Sequence, residues 1–303
     1  MKKLVFTLAT CCIMCACEQK TETNPFFTEF RTEYGAPDFD KIKIEHYEPA
    51  FLKGIEEQNA EIKAIVESRE TPGFENTIVA LDNSGRTLAR VKGVFYALTE
   101  ADTNDEMSAL SEKIAPVLSE HNDNIYLNQD LYKRVAAVWQ QEQEGKITLT
   151  TEQHRLLDRY YKAFTRSGAG LDAGKQNRLR EINKELSTLA ITFSNHILNE
   201  NNAYRLVIDN EAELAGLPEW VKTGAAEEAK AVGKEGKWLF TLQNSSRLPL
   251  LQYADNRELR KDIYEAYINR GNNGDANDNK EILKKITSLR LEKANLLGFD
   301  CYS

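Results

Sequence analysis

Apolar residues recur at steps of three and four along most of this chain, the period of helices that bury one face. Phe51, Ile55, Ile62 and Ile65 form the first stripe, with Pro49 placed as a first-turn proline. Thr71-Pro72-Gly73 interrupts it. Ile78, Leu81, Leu88, Val91, Phe95 and Leu98 then predict one long helix from about Glu75 to Glu100, whose near-heptad spacing implies antiparallel packing. Further stripes are Met107, Leu110, Ile114, Val117 and Leu118, then Leu131, Val135, Val138 and Trp139. Thr150 and Gln153 cap the helix that carries Leu156, Leu157, Tyr160 and Phe164. Gly168 and Gly170 mark a turn, and Asp172 precedes a long helix with Leu179, Ile182, Leu186, Leu189, Phe193 and Ile197.

Two short stretches change period. Tyr204–Asp209 and Lys237–Leu242 alternate and are rich in β-branched and aromatic residues, so they predict two strands with a short Ala/Glu/Lys helix between them. Helical spacing then returns. Asp255 with Glu258, and Asp278 with Glu281, are capping-box spacings for two further helices. The first carries Leu259, Ile263, Ala266 and Tyr267 and ends towards Gly271; the second carries Ile282, Ile286, Leu289 and Leu296 and ends at Gly298. The fold class is mostly α, long antiparallel helices with a small two-stranded β insertion.

Composition agrees: with 41% hydrophobic and 28% charged residues, and Leu, Ala, Glu and Lys plentiful, the chain is a helix-rich globular sequence. The formal net charge is −8 over 303 residues, which gives no electrostatic footprint for nucleic acid. Four of the five cysteines, Cys11, Cys12, Cys15 and Cys17, fall in the first seventeen residues, inside or just after an apolar run that follows Lys2 and Lys3. That run is too short for a membrane span and has the layout of a secretory leader. Met14-Cys15-Ala16-Cys17 resembles a bacterial lipobox, although Met14 departs from the usual leucine. The expected organisation is a signal peptide over 1–16, lipid attachment at Cys17, a tether and docking segment over 17–40, and a helical lobe over 41–303. An ordinary signal peptide cut nearby is the competing reading. Loss of Lys2 and Lys3 with the leader would take the charge from −8 to −10. Phe26, Phe27, Phe30, Tyr34 and Phe39 make 17–40 too aromatic for a free linker and are expected to pack on the body.

Candidate chemistry is sparse. His46, His121, His154 and His196 are far apart, and none opens an H-E-x-x-H sequence, the spacing that puts two zinc-binding imidazoles and a general-base glutamate on one helix face. His154 and Asp158, four apart on a helix, supply two ligands at most, and a surface hydrogen bond is the better account. His196 sits at the edge of an apolar stripe and reads as a half-buried packing histidine. There is no G-x-S-x-G elbow and no phosphate-binding G-x-x-x-x-G-K-[ST] loop. Tyr264 and Tyr267 lie on one side of their helix; they are candidate lining residues for a peptide groove, with core aromatics as the plainer reading.

The wording of several stretches is more specific than their periodicity. NPFF, PDFDKIKIEHYEPAF, TPGFENTIVAL, YADNRELRKDIYEAYINRG and ITSLRLEKANLLGF occur in that order between Asn24 and Phe299. Together they resemble the thimet-oligopeptidase family of zinc metallopeptidases, in the branch of bacterial peptidyl-dipeptidase Dcp and oligopeptidase A. The resemblance implies two mostly helical lobes flanking a channel, short peptides as substrates, and release of C-terminal dipeptides or internal cleavage. It also implies zinc, whose ligands are not in this chain, so no catalytic or metal residue carries over. The chain is expected to be the N-terminal lobe, inactive alone, with the catalytic lobe as its missing partner, in the bacterial envelope and held to a membrane by its lipid. The alternative is a stand-alone, non-enzymatic helical lipoprotein that binds peptides or a partner.

Overall fold

A computed structural model describes residues 23–303. It is mostly helical, with one two-stranded antiparallel sheet. Cys17 and the leader lie outside the described residues.

Helix α1 (Ile44–Glu67) organises the first half, because its two ends serve two cores. Near its start Tyr47, Ala50 and Phe51 join Leu88, Val91, Phe95, Met107 and Ile114. Near its end Ile62 and Ile65 join Ile78, Leu81, Leu131, Val135, Leu157 and Phe164. The helix starts earlier than its proline suggests, so Pro49 lies inside α1 rather than in its first turn.

The expected helix over 75–100 is broken. A π-helical segment (Phe74–Val79) runs into a short α2 (Ala80–Asp82), the chain turns at Asn83-Ser84-Gly85, and α3 (Arg86–Ala101) follows. The break falls where the chain passes from one core to the other: Ile78 and Leu81 belong to one, Leu88, Val91 and Phe95 to the other. Gly85 makes the turn with φ +74°, a left-handed conformation that glycine adopts without a Cβ penalty. Its amide donates to Glu61 Oε2 at 2.7 Å, which fixes the turn to α1.

Three helices follow: α4 (Asp105–Tyr126), α5 (Gln129–Gln143) and α6 (Thr151–Ser167). The reciprocal cap on α6 forms as expected, with Gln153 N donating to Thr150 Oγ1 at 3.3 Å and Thr150 N donating to Gln153 Oε1 at 3.0 Å. Helix α7 (Ala173–Ala203) starts at Asp172, whose carboxylate accepts from Lys175 N. Of its apolar stripe only Leu179 and Ile182 are fully buried; Leu186, Leu189, Phe193 and Ile197 are half-buried.

Strands β1 (Leu206–Ile208) and β2 (Trp238–Phe240) pair with Val207 opposite Leu239, and α8 (Glu219–Ala231) connects them. They share a third core with α9 (Asn244–Tyr253) and α10 (Arg257–Ile268), centred on Leu214, Phe240, Leu250 and Ile263. The cap of α10 is Asn256, not Asp255: Asn256 Oδ1 accepts from Glu258 N at 3.0 Å, while Asp255 N donates to Ala215 O at 2.8 Å and ties the helix start to the insertion.

Helix α11 (Lys280–Leu296) packs along α7. Asn279 occupies its cap position without capping through its side chain, and Asp278 one residue earlier accepts from Lys280 N at 2.9 Å. Ile286 and Leu289 are buried, and Ile282 and Leu296 half-buried. Leu283 and Leu291 face solvent, 55% and 49% exposed. Of the five N-terminal aromatics only Phe26 is buried, against Tyr47 at 5.2 Å between ring centroids, with Phe30 partly covered. Phe27, Phe39 and Tyr34 are exposed, so the expected docking of all five narrows to two. Phe26 turns inward on a short turn whose start is capped by Asn24 Oδ1, which accepts from Phe26 N.

Candidate functional site

The most chemically distinctive place among the described residues is where α4, α7 and α11 meet. Asp123 on α4 is only 4% exposed. Its Oδ1 accepts from Asn183 Nδ2 of α7 at 2.7 Å, and Asn183 Oδ1 accepts from Lys293 Nζ of α11 at 2.6 Å. One amide thus joins a buried acid to a largely buried base. Burial pushes the Asp123 carboxyl above its ordinary range, against the opposing pull of Asn183, Arg180 and Lys293. Burial likewise pulls the Lys293 ammonium down, against the attraction of Asp123. Both groups are held nearer neutrality than they would be in water.

These residues border a cavity of about 370 Å³. Its wall includes Arg166 at the end of α6, Arg290 on α11, and Ser167 and Ser187. Three cationic side chains against one acid make a locally positive cleft on an acidic chain. Arg290 also lies over the ring of Tyr302 at 5.1 Å.

Sequence reasoning passed over this network, although a signal was present. Lys293 continues the Ile286–Leu289 stripe, and Asn183 falls between Leu179 and Leu186 on theirs. A polar residue on the buried side of an apolar repeat marks an interior group that needs partners.

The histidines are dispersed in space as in sequence. His46 Nδ1 accepts from Lys43 N at 3.1 Å at the start of α1. His121 is buried, with Nε2 2.7 Å from Gln58 Oε1 and Nδ1 unpartnered; burial and then Lys92 lower its pKa. His154 Nδ1 lies 2.7 Å from Glu142 Oε1 and its ring stacks on Trp139, while Asp158 pairs with Lys162. That geometry is the surface-contact reading of His154 and leaves His154 and Asp158 with separate partners. His196 is half-buried, with Nδ1 2.9 Å from Asn279 Oδ1; Asn279 Nδ2 in turn donates to Phe193 O. Among the described residues no cluster of three His, Cys, Asp or Glu side chains is arranged to hold a metal ion. These residues do not fit a zinc site.

Tyr264 and Tyr267 diverge. Tyr264 stands in solvent at 53% exposed. Tyr267 packs on the third core, with the Arg247 and Arg270 guanidinium carbons 3.6 and 3.9 Å from its ring centre. Arg247 is itself buried and donates to Asn244 Oδ1 at 2.7 Å, so Tyr267 is a structural clamp between α9 and α10. Neither tyrosine borders the polar cavity.

Residues 250–303, which hold α10 and α11, match Peptidase family M3. The similarity to individual peptidases runs much further. Dipeptidyl carboxypeptidase of Escherichia coli (strain K12) is 38% identical across 93% of this chain and 41% of its own length. The chain is thus similar in sequence to M3 peptidases of the thimet-oligopeptidase type. Oligopeptidase A of Salmonella typhimurium is 33% identical across 93% of this chain and 41% of its own length. Saccharolysin of Saccharomyces cerevisiae is 26% identical across 77% of this chain and 32% of its own length. The chain spans about two fifths of the length of the first two relatives. The resemblance read from the phrases between Asn24 and Phe299 is therefore correct, including its branch.

Proposed function

We propose that this chain is the N-terminal helical part of a zinc metallopeptidase that hydrolyses short peptides, releasing C-terminal dipeptides or cutting internally. The observation that carries the reading is the 38% identity to dipeptidyl carboxypeptidase over 93% of the chain. The chain contributes scaffold and channel wall. The metal, the H-E-x-x-H glutamate and the water they activate belong to a catalytic lobe that is its partner. Zinc chemistry is supplied there, and no step of it runs through the 303 residues of this sequence. The purified chain with zinc and a short peptide is accordingly silent. Chelator-sensitive release of dipeptides, followed by mass spectrometry, would overturn that statement. Reading the DNA downstream of the Ser303 codon in all frames tests the parent reading separately: an H-E-x-x-H helix supports it, and unrelated coding sequence opposes it.

The second part of the proposal concerns location. The short apolar run ending at Ala16-Cys17 supports a bacterial envelope lipoprotein held to the membrane through Cys17. Cys17→Ala releases the protein from the membrane fraction or leaves it unprocessed; unchanged partitioning and N-terminal mass would refute the anchor.

A further inference from the structure

We propose that the cleft between α4, the end of α6, α7 and α11 is a binding site for a small polyvalent oxyanion, a di- or tricarboxylate or a phosphate compound of similar size. The inference does not depend on the peptidase reading. Its first support is charge. Arg166, Arg290 and Lys293 line one cavity together with Asp123 as its acid. Among the described residues, Arg166 and Arg290 make no ion pair with a carboxylate, whereas Arg159 on α6 and Lys285 on α11 do. Two guanidinium forks are thus presented without an internal counter-ion, and guanidinium forks match carboxylate and phosphate oxygens in bidentate geometry.

The second support is the floor of the cleft. Lys293 is held by its hydrogen bond to Asn183, and burial disfavours its positive charge. Asp123 makes no direct ion pair with Lys293, because its Oδ1 is engaged by Asn183, whose own Oδ1 takes the Lys293 ammonium, so an entering anion would add a direct partner that this ammonium lacks among the described residues. Ser167 and Ser187 add hydroxyl donors at the wall. The third support is size. About 370 Å³ is near the lower end of the roughly 300–1,000 Å³ seen for small-molecule sites. That volume suits a compact molecule with several charges better than a lone chloride.

Calorimetric titration of the purified chain with citrate and, separately, with pyrophosphate tests this at constant ionic strength. Saturable binding at one site per chain is expected for at least one of them, and the tighter of the two identifies the carboxylate or the phosphate class. Arg166→Gln and Arg290→Gln should each weaken it about tenfold, as expected when one charge-assisted interaction is lost. Both side chains are exposed, so the variants should fold, and matching thermal transitions without ligand verify it. Lys63→Gln, at an exposed position of α1 outside the cavity lining, should bind as the parent does. No saturation by either anion, or equal weakening in all three variants, overturns the proposal.

Discussion

Two helix pairs in this molecule are built on opposite principles. Where α1 crosses α3, the contact is apolar and very close. Phe95 meets Tyr47 and Phe51 at 5.1 and 5.2 Å between ring centroids, and all three are essentially inaccessible. Gly54 lets the α3 backbone approach so near that an added Cβ would stand 2.8 Å from Leu88 Cα and N. Where α11 lies on α7, the seam is largely polar. Arg178 forks onto Glu292 at 2.6 and 2.9 Å, Lys285 pairs with Glu185, and Lys293 reaches Asn183. Between these contacts only Ile286, Leu289 and Ala294 of α11 are fully buried. Exposed ion pairs contribute little and are screened by salt, whereas close apolar packing is lost only with the fold. The first pair should therefore carry global stability, and the second should set register and local chemistry.

The largest test is Phe95→Ala. Removing a fully buried phenylalanine should cost about 3–5 kcal/mol, read as a shift of the urea midpoint. A cost no larger than that of a surface change would break the contrast from the apolar side. Gly54→Ala probes the same crossing from the backbone. Leu88 main-chain atoms cannot rotate away as a side chain can, so the helices must part, at about 1–3 kcal/mol. If the variant is as stable as the parent, the close crossing is not a constraint.

The same comparison explains what could be read from the sequence. The apolar crossing was legible because Phe51, Leu88, Val91 and Phe95 each fall on an uninterrupted helical repeat. The mostly α class, the two strands and the Thr150 cap were legible for similar local reasons. The break at Gly85 was not. Ile78 through Leu98 keep one period across it, and only the tertiary requirement that two cores be filled separates them. At Asp255 two neighbouring residues could both cap, and the long-range bond from Asp255 N to Ala215 O decided for Asn256. The polar cleft was hidden because its members lie far apart in sequence: Asn183 and Lys293 stand out on their apolar repeats, but nothing local names their partners. The stripe at Ile282, Ile286, Leu289 and Leu296 finds much of its cover on α7, and Leu283 and Leu291 are left uncovered.

A pH experiment sharpens the polar side. Asp123 in the folded protein holds its proton above the ordinary 3.8, so the folded state binds that proton more tightly than the unfolded chain does. Its contribution to stability is full below 3.8 and is lost as pH rises through the higher folded value. Lys293 works in the other direction. Its folded value lies below 10.5, so its contribution is full above 10.5 and is lost as pH falls through the folded value. Asp123→Asn keeps the oxygen that accepts from Asn183 and removes the titration. Melting temperatures taken upward from pH 3.8 should fall less steeply in this variant than in the parent. Parallel curves would mean that the buried acid does not feel its surroundings as the geometry requires.

The smallest effect on stability, and the most selective on behaviour, is expected at the outer face of α11. Leu283 and Leu291 are about two turns apart and largely exposed, so they touch too little to contribute much to folding. Leu283→Gln with Leu291→Gln should change unfolding free energy by no more than about 0.5 kcal/mol. Exposed leucines on one helix still present apolar surface that water disfavours. The parent should associate as its concentration rises, while the double variant stays monomeric in sedimentation over the same range. Hydrogen exchange of residues 279–297 separates the two layers of this seam. In the dilute parent, amides near Ile286 and Leu289 should be protected by α7, and this protection should survive the double substitution. Loss of protection in the variant would place Leu283 and Leu291 inside the stabilising contact and erase the distinction between a polar-locked inner face and a free outer one.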